Sequence, residues 1–594
     1  RRGASKRRGY TPPMLRLLMA ACALTTFVAI PVLAAPPGPG YERLGKFEKR
    51  EVDVALKQRG LTLVADPSGR TVGRIIVVNR PVFTEDDGGF LQWFNVFHWT
   101  TQEHIVERDI LLRPGMQWDR KLVDESARNV RNPILSNMVA ILPVEPESGK
   151  ANEVDLLVVT RDVWSLRLNT NFQLQEDQLT ALSISLAENN FLGLRKNPSI
   201  AFSLNQGSFA VGPQYTDPNI AGTRLTLAAA ASAHFAREDA NFEGTSSSVT
   251  LSYPLWNLSR DWGGSLAFSH FDSNLRLFRG SDIFGYDVPE TVETEALPWR
   301  YHYGSFEVQG TARYQWGTYL KQRLAFGYEF FRTDADTIDT FPSDVARAAF
   351  ERDVLPRQET SSGPFVAWSA FTPIYRTYRN LKTFDLREDY RLGGSASFSI
   401  KQAMSALGSD DDYTAVSGSI GYAFAPVQDS YLSLGGNWSA RVQSGSVIDQ
   451  RVGASFWAAT PHAFGAFRMI MRANYDARFD ETANRFFTVG GDTGLRGHPV
   501  GFFTGERRFR ANVELRSKSF AFYFFRFGGV LFYDTGHAAD TVEELRPVHD
   551  VGAGLRVLIP QINPFVLRAD WAFATEGPGA GFPGRFSAGF LQAF

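Results

Sequence analysis

The chain has 594 residues and a formal net charge of -1, with charged residues at 21% and aromatic residues at 13%. So even a balance excludes a partner drawn by bulk charge, nucleic acid above all. Phe occurs 48 times, yet past the N-terminus there is no apolar run of the ~18 residues that a membrane-spanning helix needs.

Residues 1–34 read as a secretory signal. The stretch to Arg16 is basic, Leu17 to Leu33 is apolar, and Val32-Leu33-Ala34 offers small residues for cleavage. The one cysteine, Cys22, lies in that apolar stretch, so no disulfide or thiol chemistry is expected in the mature chain. Residues 35–69 form a leader. It starts Pro/Gly-rich, carries a short helix over Glu48–Arg59 with Gly60 as its stop, and ends in the turn Asp66-Pro67-Ser68-Gly69.

Residues 70–162 have the order β-α-α-β-β. Arg74 to Asn79 predicts a strand. Thr100 with Glu103 predicts a capping box for a helix bearing Ile105, Val106, Ile110 and Leu111, which Pro114-Gly115 ends. Asp119 is placed to cap a second helix bearing Leu122, Val123, Ala127 and Val130. Met138 to Val144 and Val154 to Thr160 predict two further strands.

From residue 163 to 594 apolar and polar residues alternate strictly. Trp164, Leu166 and Leu168 oppose Ser165, Arg167 and Asn169. Phe509, Ala511, Val513 and Leu515 oppose Arg508, Arg510, Asn512, Glu514 and Arg516. A period of two gives each face of a sheet its own character. The segments run about ten residues, the length of a tilted membrane strand, and their polar faces carry charge throughout, as a water-filled lumen allows. The predicted fold is an all-β transmembrane antiparallel β-barrel, closed because lipid leaves no backbone group unpaired. About twenty strands can be drawn, five after Arg507 and fifteen before it. Short turns, such as Arg195-Lys196-Asn197-Pro198, alternate with long polar loops, of which 274–300 and 334–361 are the longest.

One segment carries a resemblance. Phe487-Thr488-Val489-Gly490-Gly491-Asp492-Thr493-Gly494-Leu495-Arg496-Gly497 resembles the Arg-Gly loop of the BamA/TamA outer-membrane assembly and translocation superfamily, the bacterial surface antigen barrels. Glu188-Asn189-Asn190-Phe191-Leu192-Gly193, Phe532-Tyr533-Asp534-Thr535-Gly536 and Gly552-Ala553-Gly554-Leu555-Arg556 are similar to further family motifs in the same order. The resemblance implies one periplasmic POTRA domain at residues 70–162, a 16-stranded barrel at 163–594, and a loop folded back into the lumen. Gly490, Gly491, Leu495, Arg496 and Gly497 would form a latch there. Arg496 would meet inner-wall carboxylates, Glu514 by its alternation or Asp534 as the match to the family's wall aspartate. Two departures stand out. His498 occupies a place where the family usually has Phe or Tyr, and the strand count exceeds sixteen. Phe586, Gly589, Phe590 and Phe594 resemble the terminal signal by which barrels are recognised for insertion, with Gln592 as a polar interruption.

No catalytic constellation is evident. There is no G-x-S-x-G elbow, no metal-ligand histidine spacing and no phosphate loop, so an enzyme, a metal or a cofactor is not expected. The resemblance implies a protein of the cell outer membrane that helps insert or export client outer-membrane or secreted proteins. Its POTRA domain would bind the client, or a periplasmic or lipoprotein partner, along a sheet edge. The alternative is a passive pore or surface-exposed structural barrel.

Overall fold

The computed structural model describes the chain from Gly40 onward, apart from residues 81, 83–98, 132–135, 176–177, 289–295, 384–386, 492–493, 524, 560–562, 578–579 and 591–594. The expected signal at 1–34, Cys22, Asp492, Thr493, Gln592 and Phe594 lie outside the described residues.

The N-terminal domain is a three-stranded sheet covered on both faces. Its elements are α1 (Lys46–Arg59), β1 (Thr71–Arg80), α2 (Glu103–Arg108), α3 (Arg120–Val130), β2 (Ser136–Val144) and β3 (Glu153–Asp162). The strand order is β1-β3-β2, with β1 parallel and β2 antiparallel to the central β3. Val106, Ile110, Val123 and Val130 pack with Val72, Leu156 and Val158. Val52 and Ala55 of α1 pack with Met138, Leu157 and Val159 from the alternate positions of the same strands. A sheet buried on both sides explains why Leu156-Leu157-Val158-Val159 is apolar without interruption. The helix assigned from sequence to the leader therefore belongs to the domain core. It stops at Gly60, which takes the left-handed conformation (φ 63°). Asp119 caps α3, accepting a hydrogen bond from the Lys121 amide.

The capping box expected at Thr100 and Glu103 is not formed. The helix starts after Gln102 with no side-chain cap and ends at Arg108, ahead of Ile110 and Leu111. Asp162 accounts for the change. Its carboxylate takes the Thr101 amide at 2.8 Å and the Thr101 hydroxyl at 3.1 Å, which ties the helix entry to the end of β3.

The rest of the chain is a closed antiparallel barrel of 20 strands, from Leu166–Gln175 to Arg585–Phe590. Two strands are kinked. Glu359–Phe371 continues beyond Thr372-Pro373 as Ile374–Arg379, and Arg507–Ser517 continues as Phe520–Phe522. Closure pairs Ser587 with Gln175 and Ala588 with Leu174. The number is the one the alternation gives, and it exceeds by four the sixteen that the resemblance implies. The segment 334–361, expected as one loop, contains the helix Asp344–Asp353, capped by Ser343 through the Ala346 amide.

Every second strand residue points outward, and large apolar side chains among them are bare: Leu168, Leu266, Ile420 and Leu531 are 58–66% exposed. A closed barrel with such an exterior is a membrane barrel, its leucines solvated by lipid. The N-terminal domain sits against one end, called here the near end. Asp109 pairs with Arg195 and Arg224 at 2.7 Å in two near-end turns, and the Gln102 amide donates to the Gly193 carbonyl at 3.0 Å.

Candidate functional site

The loop between the strands Phe467–Phe479 and Arg507–Ser517 starts at the far end and turns back inside the barrel. Its arms pair as a short ribbon, Phe487–Val489 with Phe503–Gly505. At its tip the Gly491 amide donates to the His498 carbonyl at 2.9 Å, and Leu495 is fully buried with Val489 and Ala538. Gly490 has φ 141°, and a Cβ there would stand 2.0 Å from the Pro499 carbonyl oxygen. A Cβ on Gly497 would stand 2.7 Å from the Asp550 carboxyl carbon and from the Ala574 nitrogen, so only glycine lets the tip touch the wall.

Arg496 projects from this tip into a cluster of wall side chains. Its Nε and Nη2 donate to the two oxygens of Asp534 at 2.7 and 2.8 Å, the planar fork matching the carboxylate. Its Nη1 donates to Glu514 at 2.7 Å and to Asp570 at 3.1 Å. The guanidinium carbon lies 3.5 Å from the centre of the Phe532 ring. The expected alternatives, Glu514 or Asp534, are thus both partners, and Asp570 is a third.

The wall is arranged to receive this cation. Glu514, Asp534, Asp550 and Asp570 lie on four consecutive strands, all at inward positions and all fully buried. Asp534 and Asp550 stand directly opposite each other in register, a pairing that like charges disfavour. The loop separates their demands. Asp534 takes Arg496, while Asp550 takes the Gly497 amide at 2.6 Å and His498 Nδ1 at 2.9 Å. Arg516 holds Glu514 at 2.7 Å, and Arg556 and Arg568 hold Asp570 at 2.5 and 3.2 Å. Four guanidinium groups, Arg496 included, thereby balance four carboxylates in a buried site. Asn512 bridges loop and wall, donating to the Gly494 carbonyl and to Asp534, both at 2.8 Å.

His498 has an evident place at the tip. It is buried against Asp550, with its ring beside Phe502 and Phe503 at centroid distances of 5.6 Å. The sequence reading missed Asp550, Asp570, Arg568 and Arg516 as latch residues and gave Arg556 no role. The alternation carries the missing signal, because Asp550 and Arg556, like Arg568 and Asp570, occupy same-face positions of predicted strands.

The terminal strand is seen to Phe590. Phe586 lies opposite Trp571 in register, their rings edge to face at 6.4 Å. A Cβ on Gly589 would come within 2.8 Å of the Phe172 carbonyl oxygen on the first strand, so this glycine sits at the closure. The backbone of Phe590 pairs with Leu567.

Fold and site together define a transmembrane barrel braced by an inward-folded loop and carrying one small domain of POTRA-like order. No protein-family model and no curated protein matches the sequence. Among solved structures, the chain is similar to CdiB from Escherichia coli at 11% identity and TM-score 0.42, covering 98% of this chain and 97% of that one. It is similar to CdiB from Acinetobacter baumannii at 11% identity and TM-score 0.40, covering 88% and 73%. A third similar structure is BamA from Haemophilus ducreyi lacking POTRA domains 1–3, at 13% identity and TM-score 0.35, covering 92% and 94%.

Proposed function

We propose that this chain is an outer-membrane barrel that assists insertion or translocation of client proteins, with its N-terminal domain in the periplasm binding the client or a partner. The observation that carries the reading is where the latch falls. Arg496 and its neighbours tie down the last four strands before the terminal one, Arg507–Ser517 to Asn563–Ala574, and none of the contacts described for the loop tip reaches the closing strand Arg585–Phe590. A wall held rigid up to its penultimate strand gives a client a fixed edge beside the barrel seam. The domain contributes β2, an edge strand whose end at Pro143–Val144 already pairs with Leu63 and Val64 and whose earlier residues could take an extended segment by main-chain pairing. No nucleotide or cofactor enters this scheme, since the folding of the client itself supplies the driving force.

The experiment is depletion of the protein followed by a quantitative survey of the outer-membrane and surface proteome. A defined set of proteins should fall, and an Arg496→Ala allele should lower the same set. An unchanged proteome under full depletion refutes the assembly reading and leaves a structural or passive barrel.

A further inference from the structure

We propose that the barrel is closed twice: by its seam, and by a clasp at the far end in which the projection 278–283 grips the latch loop, so that the seam pairs can part without the sheet unrolling. This goes beyond the client reading, because it concerns how the ring is held, whatever uses it.

The wall without its seam is one long antiparallel sheet. Among the described residues the first and last strands pair at two positions, Gln175 with Ser587 and Leu174 with Ala588. The last strand pairs with its other neighbour, Asn563–Ala574, at six. Fewer pairs mean a lower local cost of opening.

The projection is rooted across the seam from the latch. Counted from Leu166–Gln175, the strands Trp262–Arg276 and Arg300–Trp316 are the seventh and eighth of the barrel. The carboxylates that seat the latch tip lie on the sixteenth to nineteenth. Beyond Arg276, Phe278 pairs with Ile283 and Arg279 with Asp282, a short ribbon with Gly280 (φ 62°) at its turn. The Phe284 amide donates to the Leu277 carbonyl at 2.8 Å, so residues 278–283 stand out as a separate unit.

This unit meets the latch loop just past its tip. The Gly280 amide donates to the Val500 carbonyl at 3.0 Å, two residues from His498, which is itself buried against Asp550. A Cβ on Gly501 would stand 2.8 Å from the Phe278 carbonyl oxygen, and one on Gly280 would stand 3.6 Å from that of Pro499, so the two backbones touch. Gln206, in the turn between the third and fourth strands, donates its side-chain amide to the Gly280 carbonyl. Contacts thus run from Gln206 through Gly280 and Val500 to His498 and Asp550 on the eighteenth strand. The short way round the wall from the fourth strand to the eighteenth passes through the seam. With the clasp in place, the edges of a parted seam stay tethered and pair again at high effective concentration. Without it, the same few pairs must close the whole sheet.

The test uses the full-length protein in the outer-membrane fraction and the temperature at which its heat-dependent gel shift is lost. It needs no client, so its outcome is separate from that of the depletion survey. Replacing residues 278–283 with Gly-Gly joins Leu277 to Phe284 and should lower that temperature by about 2–8 °C, the shift for loss of a few hydrogen bonds in a large fold. Leu174→Cys with Ala588→Cys puts two thiols on facing residues of the seam, at a spacing that a disulfide takes. Oxidised, this pair should return the clasp-deleted barrel to the wild-type temperature or above, and should raise the clasp-bearing barrel far less. Reduction should undo both gains. Equal gains in the two backgrounds mean that the projection only props the loop locally. No fall on deleting the projection means that the seam alone closes the ring. Either result overturns the proposal. If the deletion prevents assembly, Gly501→Val, which presses on Phe278 at unchanged loop length, takes its place in the same comparison.

Discussion

At the scale of residues, Arg496 meets three carboxylates, but they do not depend on it equally. Glu514 keeps Arg516, and Asp570 keeps Arg556 and Arg568, when Arg496 is removed. Asp534 keeps only Asn512 among the contacts described. Arg496→Ala should therefore cost ~3–5 kcal/mol, the range for breaking a buried pair, read as a lower denaturant midpoint for loss of the heat-dependent gel shift. Arg496→Ala combined with Asp534→Asn should cost less than the sum of the two, whereas Arg496→Ala with Glu514→Gln should show a smaller coupling. Equal couplings would place the stranded charge elsewhere. His498→Phe removes one of the hydrogen-bond donors of Asp550 and should destabilise the barrel by ~1–3 kcal/mol in the same assay. Alternation alone discloses Glu514, whereas Asp534 comes only from the resemblance, for a physical reason. Around Glu514 every inward residue is polar, so the period of two is clean. Around Asp534 the inward Phe532 serves as the platform under Arg496, and an apolar residue on the polar face blurs the pattern.

At the scale of elements, the N-terminal domain shows what local patterns leave out. Its β-α-α-β-β order is legible, since each element has its own periodicity and Asp119 marks a helix start. The place of α1 is not legible, because its apolar residues Phe47, Val52, Val54, Ala55 and Leu56 are few among charges and nothing local says which sheet they meet. The apolar run 156–159 is the indirect sign, since a strand buried on both faces needs a cover on each. A fragment spanning residues 40–162 should therefore fold cooperatively by circular dichroism and thermal melting. A fragment of residues 70–162 should lose ~3 kcal/mol or more, from exposure of the face that Val52 and Ala55 cover. It also removes Glu51, which pairs at 3.1 Å with Arg161, a residue only 4% exposed. Equal melting temperatures would show that α1 is a separable appendage.

At the scale of the whole molecule, the barrel follows from alternation alone. That pattern gives about twenty strands, and the barrel has 20, because each spends its length between lipid and lumen. Leu531, 60% exposed on the outer face, is a direct probe. Leu531→Arg should cost ~2–4 kcal/mol if the position lies near the mid-plane of the bilayer, while an arginine at the inward Ser417 should be tolerated. The measure is the yield of heat-shifted protein in the outer-membrane fraction, and equal tolerance at both positions would contradict the lipid assignment. What alternation cannot reveal is a strand leaving the wall. The arms Ile374–Arg379 and 387–392 pair only with each other, and Pro373 and Gly393 are what marks the departure in the sequence.

The order of the latch along the chain gives it a meaning in time. Arg496 comes first in sequence, and the acidic groups that receive it and its neighbours Gly497 and His498 follow at residues 514, 534, 550 and 570. A growing or half-assembled polypeptide carries the key before any part of the lock. The loop can seat only when four further strands have taken their register, and a chain cut short before Asp570 leaves the seat incomplete. A seated loop is thus a report that the wall is finished, written into the molecule by nothing more than the sequence positions of five ionisable side chains.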